Sequence, residues 1–282
     1  MKGKDAMLDN KTIEGLYALR LPAMAAGLAE QADQAAYQGL SFEERLGLLV
    51  DKELTEREDR RVGRYLKAAK LRSGAVVEDI DFRRPRGLDR ASLLGLATAS
   101  WVKAHHAVAI VGPTGVGKTF VACALANAAI RRGHSALYLR GPRMLDELAI
   151  ARADGRFARM LATWARTDVL VIDDYLLRPL SADQAADTLE VIEDRAGLRS
   201  TVFTSQLPIS MWHAAIAEPT LADALMDRTL QNLQRIERQG ESMRSGPGPG
   251  SASRRGRPAS TAAGNVPPRA EDHADREEGT AG

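Results

Sequence analysis

Apolar positions first recur at helical spacing. Between residues 10 and 36 they fall at Ile13, Leu16, Tyr17, Leu21, Met24 and Leu28, which is one face of a helix. Ser41, followed by Glu43 and Glu44, predicts a helix start, and the pattern FEERLGLLVDKEL runs on to about Leu71. RSGAVVEDIDFRRPRGLD then reads as an extended linker, with Gly74, Pro85 and Gly87 as breakers. Beyond it, strand-like runs alternate with helical ones. HHAVAIVG (105–112) leads to a helix ending near Arg132, and SALYLR (135–140) to one carrying Met144, Leu145 and Leu148. DVLVID (168–173) leads to a helix near 183–196, and STVFTS (200–205) to another after Pro208. Such alternation predicts βαβ units and a parallel sheet, hence an α/β fold. AVAIV and VLVI are apolar at every position, as strands covered on both faces require.

The pattern fades at the C-terminal end. From Ser245 to Gly282 there is no Leu, Ile, Met or aromatic residue, and SGPGPGSASRRGRPAS is rich in Gly, Pro and Ser. Such a segment buries too little apolar area to offset its ordering entropy, so disorder is expected there. The predicted organisation is a helical module over 1–72, a linker over 73–90, an α/β domain over 91–244 and a tail over 245–282.

Composition narrows the class. Apolar residues make up 44% and aromatic residues 5%, so the core must be mainly aliphatic. The single cysteine, Cys123, excludes an intrachain disulfide and any multi-cysteine metal site. The N-terminus has no apolar h-region, and no apolar run approaches the ~18 residues of a membrane span. A soluble, cytoplasmic protein is expected. Lys plus Arg number 39 and Asp plus Glu 37, which excludes a uniformly polybasic protein but not a local basic face.

One such face is visible. REDRRVGRYLKAAKLR (57–72) carries seven basic and two acidic residues. On a helix, Arg57, Arg60, Arg61, Arg64 and Arg72 fall within an arc of roughly 120°, with Lys67 in the same run and Val62, Leu66 and Ala69 opposite. The stripe suits sequence-independent phosphate contacts, or equally a solvated face neutralised by Glu56, Glu58 and Asp59. Arg83, Arg84, Arg86 and Arg90 form a second basic cluster.

The chemistry lies in three short segments. GPTGVGKT (112–119) matches G-x-x-x-x-G-K-[ST], the phosphate-binding P-loop, between a buried strand and an Ala-rich helix. Its backbone from Gly112 through Pro113, Thr114, Gly115, Val116 and Gly117 would curl around phosphate oxygens, with Phe120 just beyond. Lys118 supplies a charge to the β and γ phosphates and Thr119 a hydroxyl to Mg²⁺, while the helix N-terminus favours the anion. VLVIDD (169–174) brings Asp173 and Asp174 to the C-terminal end of a strand, where parallel sheets bind ligands. Asp173 is expected to hold Mg²⁺ through water and Asp174 to orient or deprotonate the attacking water. TSQ (204–206) ends the next strand; Ser205 or Gln206 could sense the γ-phosphate, or the segment could simply turn the chain before Pro208.

These elements, with RLPAMAAGL (20–28), LSFEERLGLLVDKE (40–53), KLRSGAVVEDIDFRRPRGLDR (70–90), TSQLPISMWH (204–213), LADALMDR (221–228) and GESMR (240–244), resemble the AAA+ ATPases, and among them the IstB-like helpers of insertion-sequence transposases. The resemblance implies a three-layer αβα AAA+ fold and an ATPase that uses ATP and Mg²⁺. It also implies a homo-oligomer with ATP at subunit interfaces, duplex DNA bound without strong base readout, and a partner transposase. Arg228 matches the family's interfacial arginine, which reaches a neighbouring subunit's γ-phosphate, and Arg244 matches a second γ-phosphate sensor. Helicase loaders of the DnaC type share the nucleotide site and are the alternative. A small-molecule kinase would need an acceptor pocket and a lid that the pattern does not offer. Leu176 stands where the family typically carries Gly.

Overall fold

The computed structural model describes residues 11–82, 87 and 89–240. The tail over 245–282, Arg83, Arg84, Arg86 and Arg244 lie outside the described residues.

Five parallel strands form one sheet: β1 (Ala107–Val111), β2 (Ala136–Arg140), β3 (Val169–Asp173), β4 (Ser200–Ser205) and β5 (Leu233–Glu237), in the order β2-β3-β4-β1-β5. Successive side chains point to opposite faces, which splits the aliphatic core in two. Val108, Ile110, Val169, Val171 and Val202 face α6 (Lys118–Arg131). Ala109, Val111, Leu170, Ile172 and Phe203 face the side packed by α7 (Gly141–Ala153), α8 (Phe157–Arg166), α9 (Ala182–Glu193) and α10 (Pro219–Leu230). Each fully buried Val, Leu or Ile side chain contributes about 1.5–3 kcal/mol, so this αβα sandwich is what fixes the sheet edge that carries the site.

The N-terminal part is helical, but it is not one helix up to residue 36. Residues 11–18 are helical (α1), the chain turns with Arg20 at φ 60°, and Pro22 starts α2 (Pro22–Asp33). The first turn of α2 has no side-chain cap of its own. The buried Glu53 of the next helix, α3 (Phe42–Ala69), accepts from the amides of Ala23 at 2.8 Å and Met24 at 3.2 Å instead. Ser41 and Glu44 form a reciprocal capping box at the start of α3. The C-terminal half of α3 packs Val62, Tyr65, Leu66 and Ala69 against the same core layer as α6. Helix α3 ends at Ala69, with Lys70 left-handed at φ 52°. A short α4 (Arg90–Ala97) and α5 (Ser100–Lys103) lead into β1.

Two further features depart from the sequence pattern. The segment after Pro208 is not a regular helix but two 3₁₀ turns, Ile209–Met211 and His213–Ala215, and α10 begins only at Pro219. The fully buried Trp212 draws this segment inward, donating its indole N–H to Leu207 O at 3.0 Å and packing edge-on against Tyr175. The sheet also has a fifth strand, β5, which the sequence pattern hides because only Ile236 of its residues is buried. Among the described residues no helix is long and apolar enough to cross a membrane.

Candidate phosphate and metal site

Strand register gathers the site at one edge. Val111 pairs with Ser205 and Arg140 with Asp173, so the P-loop, the acidic pair and the TSQ segment all emerge from neighbouring strand ends. An open cleft of about 440 Å³ lies over them, lined by residues including Thr114, Gly117, Lys118, Thr119, Asp174 and Gln206.

The P-loop is shaped by glycine. Gly112 has φ 148°, and a Cβ there would lie 2.2 Å from Arg238 O, so no other residue fits. Gly117 is left-handed at φ 88° and starts α6, which turns the first amides of that helix into the cleft. Lys118 is buried, and its ammonium donates to Gly112 O at 2.7 Å and Pro113 O at 2.8 Å, folding the lysine over the loop. Val116 is buried beneath the loop, Pro113 and Thr114 are exposed, and Phe120 lines the cleft.

Asp173 has no exposed surface. A buried carboxylate is costly unless donors surround it, and here they do. Thr119 donates to Oδ1 at 2.8 Å, Thr204 to Oδ1 at 2.5 Å and Tyr138 to Oδ2 at 2.6 Å. Burial and the neighbouring Asp173 push the Tyr138 hydroxyl well above the usual tyrosine range, so it stays a donor. Asp174 sits at φ 56°; its amide donates to Thr204 Oγ1 at 3.0 Å, and its carboxylate opens to the cleft, paired with Arg140 at 3.0 Å.

These residues fit a nucleotide with a divalent cation. The glycine cradle takes phosphate, and Thr119 and Asp173 stand side by side as hydroxyl and carboxylate donors. Two protein oxygens suit Mg²⁺, which usually completes its octahedron with substrate phosphates and water.

The other predicted residues separate. Gln206 is exposed at the cleft and accepts the Thr114 hydroxyl at 2.8 Å. Ser205 turns away: it is fully buried and donates to Tyr175 O at 2.8 Å, holding the turn. Arg228, in the last turn of α10, pairs with Asp227 at 2.6 Å and Glu193 at 3.4 Å and does not line the cleft. Cys123 is a core residue, its thiol pushed up by burial.

The basic stripe is partly neutralised. Arg57 lies 2.8 Å and Arg60 3.5 Å from Glu53, and Arg61 pairs with Glu58 at 2.8 Å. Arg64 and Lys67 are exposed and make no ion pair among the described residues. Arg72 does not continue the stripe. The helix ends before it, and the chain carries it to the cleft, 3.7 Å from Asp173. Arg90 of the second cluster starts α4 and lies over the Phe82 ring.

Four contributors carry little sequence signal: Thr204, Tyr138, Arg140 and Arg238. Thr204 is a polar residue in the fully buried β4 and Tyr138 a partly buried one in β2, and polarity inside a strand is the one readable hint. Arg238 is buried just past β5, and its guanidinium donates to Val116 O at 2.6 and 3.0 Å, bracing the P-loop from below.

Known proteins resemble this chain over most of its length. The family model described as IstB-like ATP binding protein matches residues 15–247. An insertion sequence ATP-binding protein of Sinorhizobium fredii, y4pL, is 46% identical over 238 residues, covering 84% of this chain and 97% of that protein. The ATP-binding protein of insertion sequence IS1162 from Pseudomonas fluorescens is 49% identical over 214 residues, covering 76% and 93%. Among solved structures, DnaI aligns with TM-score 0.52 and 24% identity over 59% of this chain and 92% of that one. The replication initiator DnaA bound to AMPPCP and single-stranded DNA aligns with TM-score 0.52 and 16% identity over 61% and 52%. These two likenesses identify the AAA+ fold alone. With its P-loop, its buried acidic strand end and close relatives matched over nearly their whole length, the chain belongs to the IstB-like family of insertion-sequence ATP-binding proteins.

Proposed function

We propose that this protein hydrolyses ATP with Mg²⁺, assembles with copies of itself on duplex DNA, and hands that DNA to a partner transposase. The observation that carries the chemistry is the Thr119–Asp173 contact at the mouth of the P-loop, beside Lys118. Thr119 and Asp173 would hold the cation, which neutralises charge developing on the phosphates. Lys118 and the loop amides bind the phosphates. Asp174, open to the cleft, orients or deprotonates the attacking water, while Gln206, tied to Thr114, stands beside it.

Arg228 acts in trans in this reading. It is exposed on α10, apart from its own cleft, which supports a role toward a neighbouring subunit. The exposed Arg64 and Lys67, with Arg57, Arg60 and Arg61 around them, would contact DNA phosphates without reading bases. The relatives, named for insertion sequences, favour a transposase over a helicase as client. The helical module over 1–72 would serve DNA binding and assembly, and the protein would work in the cytoplasm.

The test is ATP turnover with and without duplex DNA at two salt concentrations. Stimulation that weakens at high salt is expected. Turnover indifferent to DNA would overturn the DNA-linked reading.

A further inference from the structure

Arg72 is the one member of the predicted stripe that faces the nucleotide site. It lies three positions past the end of α3, and its guanidinium reaches the cleft lined by Lys118, Thr119 and Asp174. It points at Asp173 Oδ2, the oxygen that also accepts the Tyr138 hydroxyl at 2.6 Å. Its nearest contact with Asp173 is 3.7 Å, and the side chain is 48% exposed. That is too long for a hydrogen bond and too open for a buried structural ion pair, whereas Asp173 already takes three hydroxyl donors.

The guanidinium therefore keeps donors turned to the cleft, in a fork that matches phosphate oxygens. Its position selects which phosphate. The sheet runs β2-β3-β4-β1, and the P-loop leaves β1. Arg72 approaches Asp173 at Oδ2, the oxygen that takes the hydroxyl of Tyr138 on β2, the strand on the far side of Asp173 from the P-loop strand. It thus stands beyond the cation-holding pair, at the terminal-phosphate end.

We propose that Arg72 is a phosphate-contacting residue supplied in cis, which binds the terminal phosphate of the nucleotide and so ties the end of α3 to the triphosphate state. This rests on the reading of the P-loop cleft as an ATP site. Because binding linkage is reciprocal, DNA held on α3 would then favour the triphosphate over the diphosphate.

The experiment titrates fluorescent ATPγS and fluorescent ADP, with Mg²⁺, into the full chain and into Arg72→Ala, Arg72→Lys and Tyr138→Phe. Arg72→Ala should weaken ATPγS by about 10- to 100-fold, the value of hydrogen bonds to a charged group, and ADP by less than about threefold. Arg72→Lys should recover part of the loss, since it keeps the charge without the fork. Tyr138→Phe removes a donor from Asp173 and should weaken both nucleotides, the pattern of a merely structural loss. Equal losses for both nucleotides in Arg72→Ala, or no loss, would overturn the proposal. So would a variant that loses only duplex-DNA affinity, which would return Arg72 to the basic stripe. Failure of the wild-type chain to respond to DNA would count against the proposed function alone, because the nucleotide titrations decide Arg72 without DNA.

Discussion

The Thr204 hydroxyl donates to Asp173 Oδ1 at 2.5 Å. Thr204 Oγ1 in turn accepts the Asp174 amide at 3.0 Å, so one side chain fixes both acidic residues of the site. Thr204→Val keeps the shape and removes both bonds. Outer-shell partners of this kind are worth about 10- to 100-fold in metal affinity. The Mg²⁺ concentration giving half-maximal ATP turnover should rise by about that factor. An unchanged Mg²⁺ titration would show that Thr119 and Tyr138 suffice to orient Asp173.

Arg238 reaches the P-loop from the edge strand, through two hydrogen bonds to Val116 O. Arg238→Met retains the apolar stem and leaves that buried carbonyl short of its donors, a cost of about 1–3 kcal/mol. The loop should loosen, and affinity for fluorescent ADP should fall about tenfold or more, since 1.4 kcal/mol is a factor of ten. Wild-type affinity in this variant would mean that the glycine geometry alone holds the loop.

Leu176 occupies a left-handed position at φ 54° and is nevertheless only 4% exposed. Leu176→Gly would relieve roughly 1–2 kcal/mol of backbone strain. It would also empty a buried leucine site, and leucine-to-alanine changes in cores cost about 2–5 kcal/mol. Burial should win, so the melting temperature of Leu176→Gly should drop despite the easier turn. A rise would show that strain dominates at this position.

Lys118→Ala removes the ammonium that folds over the loop and should abolish ATP-dependent assembly, read by size-exclusion chromatography. Arg228→Ala should act differently. It lies outside its own cleft, so ATP binding by the monomer should stay near wild type while turnover falls by about 10³-fold, as for a trans arginine. Normal turnover in Arg228→Ala would remove the interfacial role.

The stripe on α3 should divide by pairing. Arg57 and Arg60 are engaged with the buried Glu53, whereas Arg64 and Lys67 are exposed without an acidic partner among the described residues. Arg64→Ala with Lys67→Ala should weaken duplex-DNA binding equally across sequences and reduce the salt slope by about 2, close to one per lost contact. An unchanged slope would place the DNA elsewhere.

Much of the α/β frame was written in local pattern. The strands AVAIV and VLVI, the helix after the P-loop and the capping box at Ser41 follow from periodicity and residue type, because burial on both faces demands uninterrupted apolar runs. The GPTGVGKT loop and Asp173 were legible for the same reason: glycine and a charged residue at strand ends are conspicuous exceptions to that pattern. The N-terminal break at Arg20 and the 3₁₀ turns around Trp212 were not, since each depends on a distant partner, Glu53 for the start of α2 and Tyr175 for the indole.

By itself, then, the sequence determined the fold class and placed the P-loop, Asp173 and Asp174 at strand ends. Only the tertiary structure decided which side chains serve them. Ser205 and Gln206 are neighbours in the chain, yet one is buried under Tyr175 and the other faces the cleft, because strand alternation ends between them. Arg72 reads as one more arginine of a helical stripe until the left-handed Lys70 ends the helix and sends it to Asp173. Thr204, Tyr138 and Arg238 come from three separate strands or strand ends. Their convergence depends on the register of a sheet whose order runs β2-β3-β4-β1-β5, a long-range pairing that no local pattern encodes.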